Sequence, residues 1–225
     1  MIEPCPPEGD AVEYFDLYSA AGLPLGIRKA RAEVHRAGDW HRSMALWIVR
    51  SSGAVVLQRR SAAKDTWPGK LTASVSGHYA AGETLTGVLR EACEELGMPV
   101  SLSKLLPLGT WACETRSEPS VIDREFVDVF LWPTDLALTA FQPNPSEVSA
   151  LVEMPARDLL RLSTESEMTV ESMCLPTGGL ASKIYVSPMD LIPTHEYHAC
   201  LARAAMELTA APLDAQGVDR RSCRP

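Results

Sequence analysis

The sequence predicts an α/β fold: an α/β/α sandwich with a mixed sheet, an N-terminal β-hairpin extension and a C-terminal helical tail. Three observations carry this expectation. Short apolar runs punctuated by Gly, Pro and Ser recur between Glu13 and Glu153, which is how successive strands read. One of them, Leu71 to Ser76, delivers the chain into Gly77 and then into a helical run, so strand, loop and helix follow in order. The chain has 225 residues and 46% hydrophobic content, enough for one domain of about 150 residues with extensions.

Taken in order, residues 1–10 contain three prolines and read as a loose arm. From Glu13, two short strands are joined by a Gly/Pro turn. Met44 to Val49 and Ala54 to Arg59 form a second hairpin about Ser51-Ser52-Gly53. After Leu71 to Ser76, a helix is expected from about Thr84 to Leu96, with Gly97 positioned to end it. Leu105 to Glu114 and Glu125 to Trp132 alternate as two longer strands, with 115–124 as their turn. Pro143-Asn144-Pro145 marks a loop, Val148 to Glu153 a final strand, and Pro155 to Leu162 a helix opened by proline at its first turn. The expected division is an arm and hairpin over 1–36, a main domain over 37–163, and an extension over 164–225. That extension holds one helix, His195 to Leu208, and a tail with Arg220, Arg221 and Arg224.

Net charge of −8 argues against a nucleic-acid or anionic-membrane surface, since clustered Lys and Arg carry such binding. No stretch approaches the roughly 18 apolar residues of a membrane span. The six cysteines show no Cys-x-x-Cys spacing, and the first residues lack the cations and apolar run of a signal peptide. Reduced thiols in a cytoplasmic protein are therefore expected.

Chemistry concentrates in residues 77–97. Glu91, Glu94 and Glu95 stand at i, i+3 and i+4, so on a helix they share one face. Such a triplet alone would read as a solvated helix face. Here Gly77, Gly82 and Gly97 mark a strand-to-helix loop and a helix end, the layout of a phosphate–metal site. Crowded carboxylates repel each other, and a hard divalent cation such as Mg²⁺ or Mn²⁺ relieves that repulsion. Arg90 reads as a brace, reaching Glu94 one turn on or Glu83 at the loop entrance.

Gly77, Glu83, Arg90, Glu91, Ala92, Glu94, Glu95, Gly97 and Met98 together resemble the Nudix box. One spacing departs from it: Thr84 to Leu89 supplies six residues between loop Glu and Arg, where the family has seven. The resemblance implies a hydrolase that splits a diphosphate linkage in a nucleoside diphosphate derivative or another small organic diphosphate. It implies Mg²⁺ or Mn²⁺ held by Glu91, Glu94 and Glu95 with help from the Gly77 carbonyl, and Glu91 as base. It also implies Glu147, in the loop before the last strand, as alternate base. A homodimer is left open, through residues 10–36 or the C-terminal helix.

Arg59, Arg60 and Lys64, gathered just upstream of the box in an acidic chain, are candidate contacts for substrate phosphates. Trp67 is a candidate for stacking on the ligand. The segment 33–42 with Ser76-Gly77-His78 is similar to the isopentenyl-diphosphate isomerase-like branch, in which histidines and acids gather around a metal. His41 and His78 match those positions, His35 does so with a one-residue offset, and Asp123 and Glu125 fall where the isomerases have two acids; His78 and Glu125 count as substrate-side residues. The isomerase's catalytic cysteine is replaced by Ser76, whose hydroxyl is a far weaker acid than a thiol. Prenyl-diphosphate isomerisation is thus a rival reading, and a ligand sensor without turnover is a second. His195-Glu196-Tyr197-His198 falls one residue short of a His-Glu-x-x-His zinc motif, and both histidines read as helix-surface residues.

Overall fold

The computed structural model describes residues 12–117 and 121–210. The arm at 1–10 and the arginines at 220, 221 and 224 lie outside the described residues. Strands β1 (Tyr14–Tyr18) and β2 (Pro24–Ala30) form the expected N-terminal hairpin. Helix α1 (Arg31–Ala37) follows unexpectedly: seven residues without a side-chain N-cap leave little local signal, and only Gly38 in the left-handed region marks its end.

Strand β3 (Trp40–Val49) is the organising element. It runs antiparallel to β6 (Val75–His78) and parallel to β8 (Val121–Pro133) along its whole length, which makes the sheet mixed. It also touches β4 (Ala54–Arg60), which pairs in turn with β5 (Leu71–Thr72) and β9 (Val148–Pro155). β7 (Leu106–Ser117) pairs with β8 from Leu106↔Leu131 to Ser117↔Val121, so most of the segment expected as a turn is strand. The sheet edge runs β10 (Val170–Pro176) and β11 (Ser182–Val186) beyond β9. This corrects two expectations: β9 is not the last strand, and 164–225 carries a hairpin as well as a helix. Its turn signal, Thr177-Gly178-Gly179 with Gly178 at φ 72°, is nevertheless local.

The box helix is two pieces, α2 (Leu85–Val88) and α3 (Arg90–Leu96), hinged at Leu89. Apolar residues Val88, Leu89, Ala92 and Leu96 pack on one sheet face with Met44, Leu46, Val75 and Phe130. On the other face, α4 (Ala156–Thr164) and α5 (His195–Ala210) cover Trp47, Val55, Leu57, Leu131 and Val152. Two cores on opposite faces of one sheet make the expected sandwich. α5 buries His198, against the surface reading, while His195 stays exposed. Cys113 and Cys174 are free thiols, but Cys200 is disulfide-bonded, which corrects the expectation of reduced cysteines throughout. No helix among the described residues is long and apolar enough to cross a membrane.

Candidate active site

One cavity of about 140 Å³ opens where β3, β6, β7, β8 and α3 converge. Its floor is Ser76, Gly77 and His78 on β6, and Glu91 and Glu95 of α3 face it. A Cβ on Gly77 would stand 2.1 Å from the Glu91 Cδ, so only a glycine lets this carboxylate lie against the strand. The Glu95 Oε2 accepts hydrogen bonds from Gln58 Nε2 (2.7 Å) and the Ser76 amide (2.9 Å). Glu94 stands beside them but does not line the cavity.

Arg90 is the expected brace, and its reach is wider than expected. It donates to Glu83 Oε1 (3.0 Å), Glu91 Oε1 (2.8 Å) and Glu94 Oε2 (2.7 Å), and Glu83 in turn accepts from the Ala80 amide. The shortened spacer therefore leaves the Glu83–Arg90 contact in place. Burial, then repulsion from Glu95, pushes Glu91 up to about 8, with Arg90 opposing. Burial also pushes Glu95 up to about 7, against its two hydrogen bonds. Two carboxyls this reluctant to ionise, in a glycine-floored cradle, form a donor set suited to a hard divalent cation.

Across Gly77 lies a second cluster. One ligating atom from each of His35, His41, His78 and Asp123 falls within 4.8 Å of the others. His41 Nε2 is 3.4 Å from Asp123 Oδ1, and His78 Nε2 is 3.1 Å from Glu125 Oε1. Nevertheless the three Nε2 atoms and Asp123 Oδ1 are buried without a hydrogen-bond partner of good geometry among the described residues. Phe15 stacks on His41 and His78 at 5.0 and 4.8 Å between centroids. Burial, and then the neighbouring histidines, lowers His35 to about 3, and burial lowers His78 to about 4 and His41 in the same direction. Burial also raises Asp123, with repulsion from Glu125 adding to it; for Glu125 burial is outweighed by His78, which holds it low. Neutral imidazoles with orphaned nitrogens beside a carboxylate suit a metal of mixed N/O preference.

The expected phosphate contacts divide. Arg60 and Lys64 line the cavity with Trp67, whose φ of 50° shows a tightly turned loop. Arg60 is tied to that loop through the Thr66 carbonyl (2.8 Å) and hydroxyl (3.0 Å). Arg59 does not line the cavity, because successive residues of β4 face opposite sides of the sheet. Lys64 and Glu147 are ion-paired with each other, so the candidate phosphate contact and the candidate alternate base are engaged together. Residues missed in the sequence include Arg31, Trp111, Cys113, Thr194 and Tyr197. Trp111, Cys113 and Thr115 sit opposite Val127, Glu125 and Asp123. Their period-2 spacing was a readable signal. Tyr197 had none, since α5 reaches the cavity only through tertiary packing.

A family model described as the NUDIX domain matches residues 39–171. The chain is 38% identical to Nudix hydrolase 3 of Arabidopsis thaliana over 151 residues, 64% of this chain but 19% of that protein. It is 32% identical to an isopentenyl-diphosphate Delta-isomerase of Brevibacterium linens over 141 residues, 61% of this chain and 74% of that one. A solved structure from Deinococcus radiodurans superposes with a TM-score of 0.52 at 24% identity, covering 66% of this chain and 86% of that one, and shows the fold alone.

Proposed function

The chain belongs to the NUDIX family, and from that premise we propose that it is a Mg²⁺- or Mn²⁺-dependent hydrolase of a diphosphate linkage in a small organic or nucleoside diphosphate. The carrying observation is the pair Glu91 and Glu95, pressed into the cavity over Gly77 and pushed up to about 8 and about 7. A divalent cation held by Glu91, Glu94 and Glu95, when bound, supplies Lewis-acid polarisation of the phosphoryl oxygens. Arg90 fixes the aim of Glu91 and Glu94 through its two hydrogen bonds. Glu91 takes the proton of the attacking water. Lys64 and Arg60 offset charge on the phosphoryl oxygens, and drawing Lys64 onto a phosphate frees Glu147 as alternate base. Residues 37–163 form the catalytic unit in this reading, with Arg31, Ile192, Thr194 and Tyr197 completing its walls.

Phosphate release from a panel of diphosphates, with and without Mg²⁺ or Mn²⁺, tests this. Metal-dependent release from at least one compound is expected, and Glu91→Gln should cut it by about a hundredfold or more. The same ions should raise the melting temperature, since a ligand at a hundredfold excess over Kd adds about 2.7 kcal/mol, and Glu91→Gln should shrink that shift. No release from any compound, with metal-induced stabilisation intact, would point to a sensor instead.

The histidine cluster favours a second reading, proton transfer on a prenyl diphosphate, because it supplies the metal ligands that the isomerase resemblance implies. Ser76 opposes it. Deuterium incorporation into isopentenyl diphosphate in heavy water, lost in Ser76→Ala, would promote this reading over hydrolysis.

A further inference from the structure

Tyr197 lies on α5, outside the residues matched to the family, yet its ring lines the same cavity as Glu91 and Glu95. Its hydroxyl is 2.6 Å from the Trp47 indole nitrogen. An indole N–H can only donate, so the phenolic oxygen is the acceptor. The phenol's own proton is then unspent: among the described residues no hydrogen bond donated by Tyr197 is formed. Burial, and after it the nearby Cys113 and Glu125, raises Tyr197 above the ordinary phenol range, so it remains a donor at any physiological pH. A donor whose oxygen is fixed from behind by a fully buried tryptophan is preorganised for a ligand.

The neighbouring walls say what sort of ligand. The Trp111 ring stands 5.9 Å from that of Tyr197, and Val127 and Ile192 complete an apolar surface edged by Thr194, whose hydroxyl stands 3.4 Å from the His198 Nε2. At about 140 Å³ the cavity is well below the roughly 300–1,000 Å³ of sites for drug-sized ligands. The organic half of a diphosphate that fits here is short.

We propose that Tyr197 determines specificity, donating its phenolic hydrogen bond to a hydroxyl, ether or carbonyl oxygen on a short, otherwise apolar organic group of the diphosphate substrate. The inference rests on the diphosphatase reading for its substrate class. It places the C-terminal helix in the active site, as the wall that reads the non-phosphate half.

The test compares hydroxyalkyl diphosphates of two to six carbons with their n-alkyl counterparts, in the full chain with Mg²⁺. Phosphate release gives kcat/KM, and calorimetry gives Kd. Wild type should prefer at least one hydroxyalkyl compound over its partner by about tenfold, the size of one net hydrogen bond. Tyr197→Phe should bring the hydroxyalkyl to n-alkyl ratio of kcat/KM to about one, a ratio that a merely structural role would not move. Trp47→Phe, which keeps the hydroxyl but removes its orienting donor, should reduce the preference and serves if Tyr197→Phe does not fold. A wild type that treats every pair alike, or a variant that keeps the wild-type ratio, overturns the proposal. Binding preference without phosphate release from any of these compounds or from the broader diphosphate panel would sink the hydrolase reading and leave the role of Tyr197 standing.

Discussion

Gly77 and Glu91 occupy one volume between them: the carboxylate lies where any other residue would carry its Cβ. Gly77→Ala forces Glu91 to swing away, and a displacement of about 1 Å in a catalytic group costs on the order of a hundredfold in rate. We expect that loss in kcat/KM for the best diphosphate. Since the side chain that must move is flexible, the melting temperature should fall by no more than about 2–4 °C, or roughly 1 kcal/mol. A Gly77→Ala protein with full activity would show that Glu91 need not rest on this strand. The need for glycine is visible in the sequence only as a box position; its cause, a side chain from the next helix, is a tertiary fact.

Helix α3 ends by a device that is local in sequence and reinforced from afar. Gly97 adopts φ 62° and donates its amide to the Cys93 carbonyl (2.8 Å), while Met98 donates to Ala92 (3.2 Å). The 142–147 loop then docks on the helix end, with Gln142 and Asn144 donating to the carbonyls of Leu96 and Glu95 at 2.9 and 3.0 Å. A Cβ at Gly97 would meet the Gln142 carbonyl oxygen at 2.9 Å. Gly97→Ala should therefore cost about 1–2 kcal/mol from backbone strain, with the clash adding to it. Urea melts should show a lower midpoint at unchanged slope. A midpoint equal to that of wild type would mean that the loop shifts freely, and that it does not hold Glu147 and α3 in register.

At the scale of the molecule, α5 closes the second core with a histidine in it. His198 is buried against Trp47, its Nδ1 has no hydrogen-bond partner among the described residues, and burial, then the nearby His195, lowers it to about 3. Its folded-state value lies below the unfolded 6.5, so the unfolded chain binds the extra proton first as pH falls. The contribution from neutral His198 is complete above pH 6.5 and is lost between there and about 3, at about 1.4 kcal/mol per pH unit. His198→Leu removes this term. Denaturant melts from pH 7 to 4 should show wild type losing stability more steeply than the variant, and parallel curves would mean that His198 is solvated.

The sequence by itself determined what depends on short spacing. Three carboxylates at i, i+3 and i+4, an arginine one turn before Glu94, glycines at a strand end and a helix end, and apolar runs broken by turns are all local facts. They sufficed for the sandwich and for the shared carboxylate face of the box helix, because helix and strand periodicity aim side chains without help from distant residues. Only the tertiary structure decided that Arg60 faces the cavity and Arg59 does not, that Lys64 is spent on Glu147, and that β10 and β11 extend the sheet. It alone gathered His35, His41, His78 and Asp123, and alone carried Tyr197 to a wall of the cavity. These depend on strand register and on which face a distant helix covers, and both are set by the burial of two cores at once, which no local window contains.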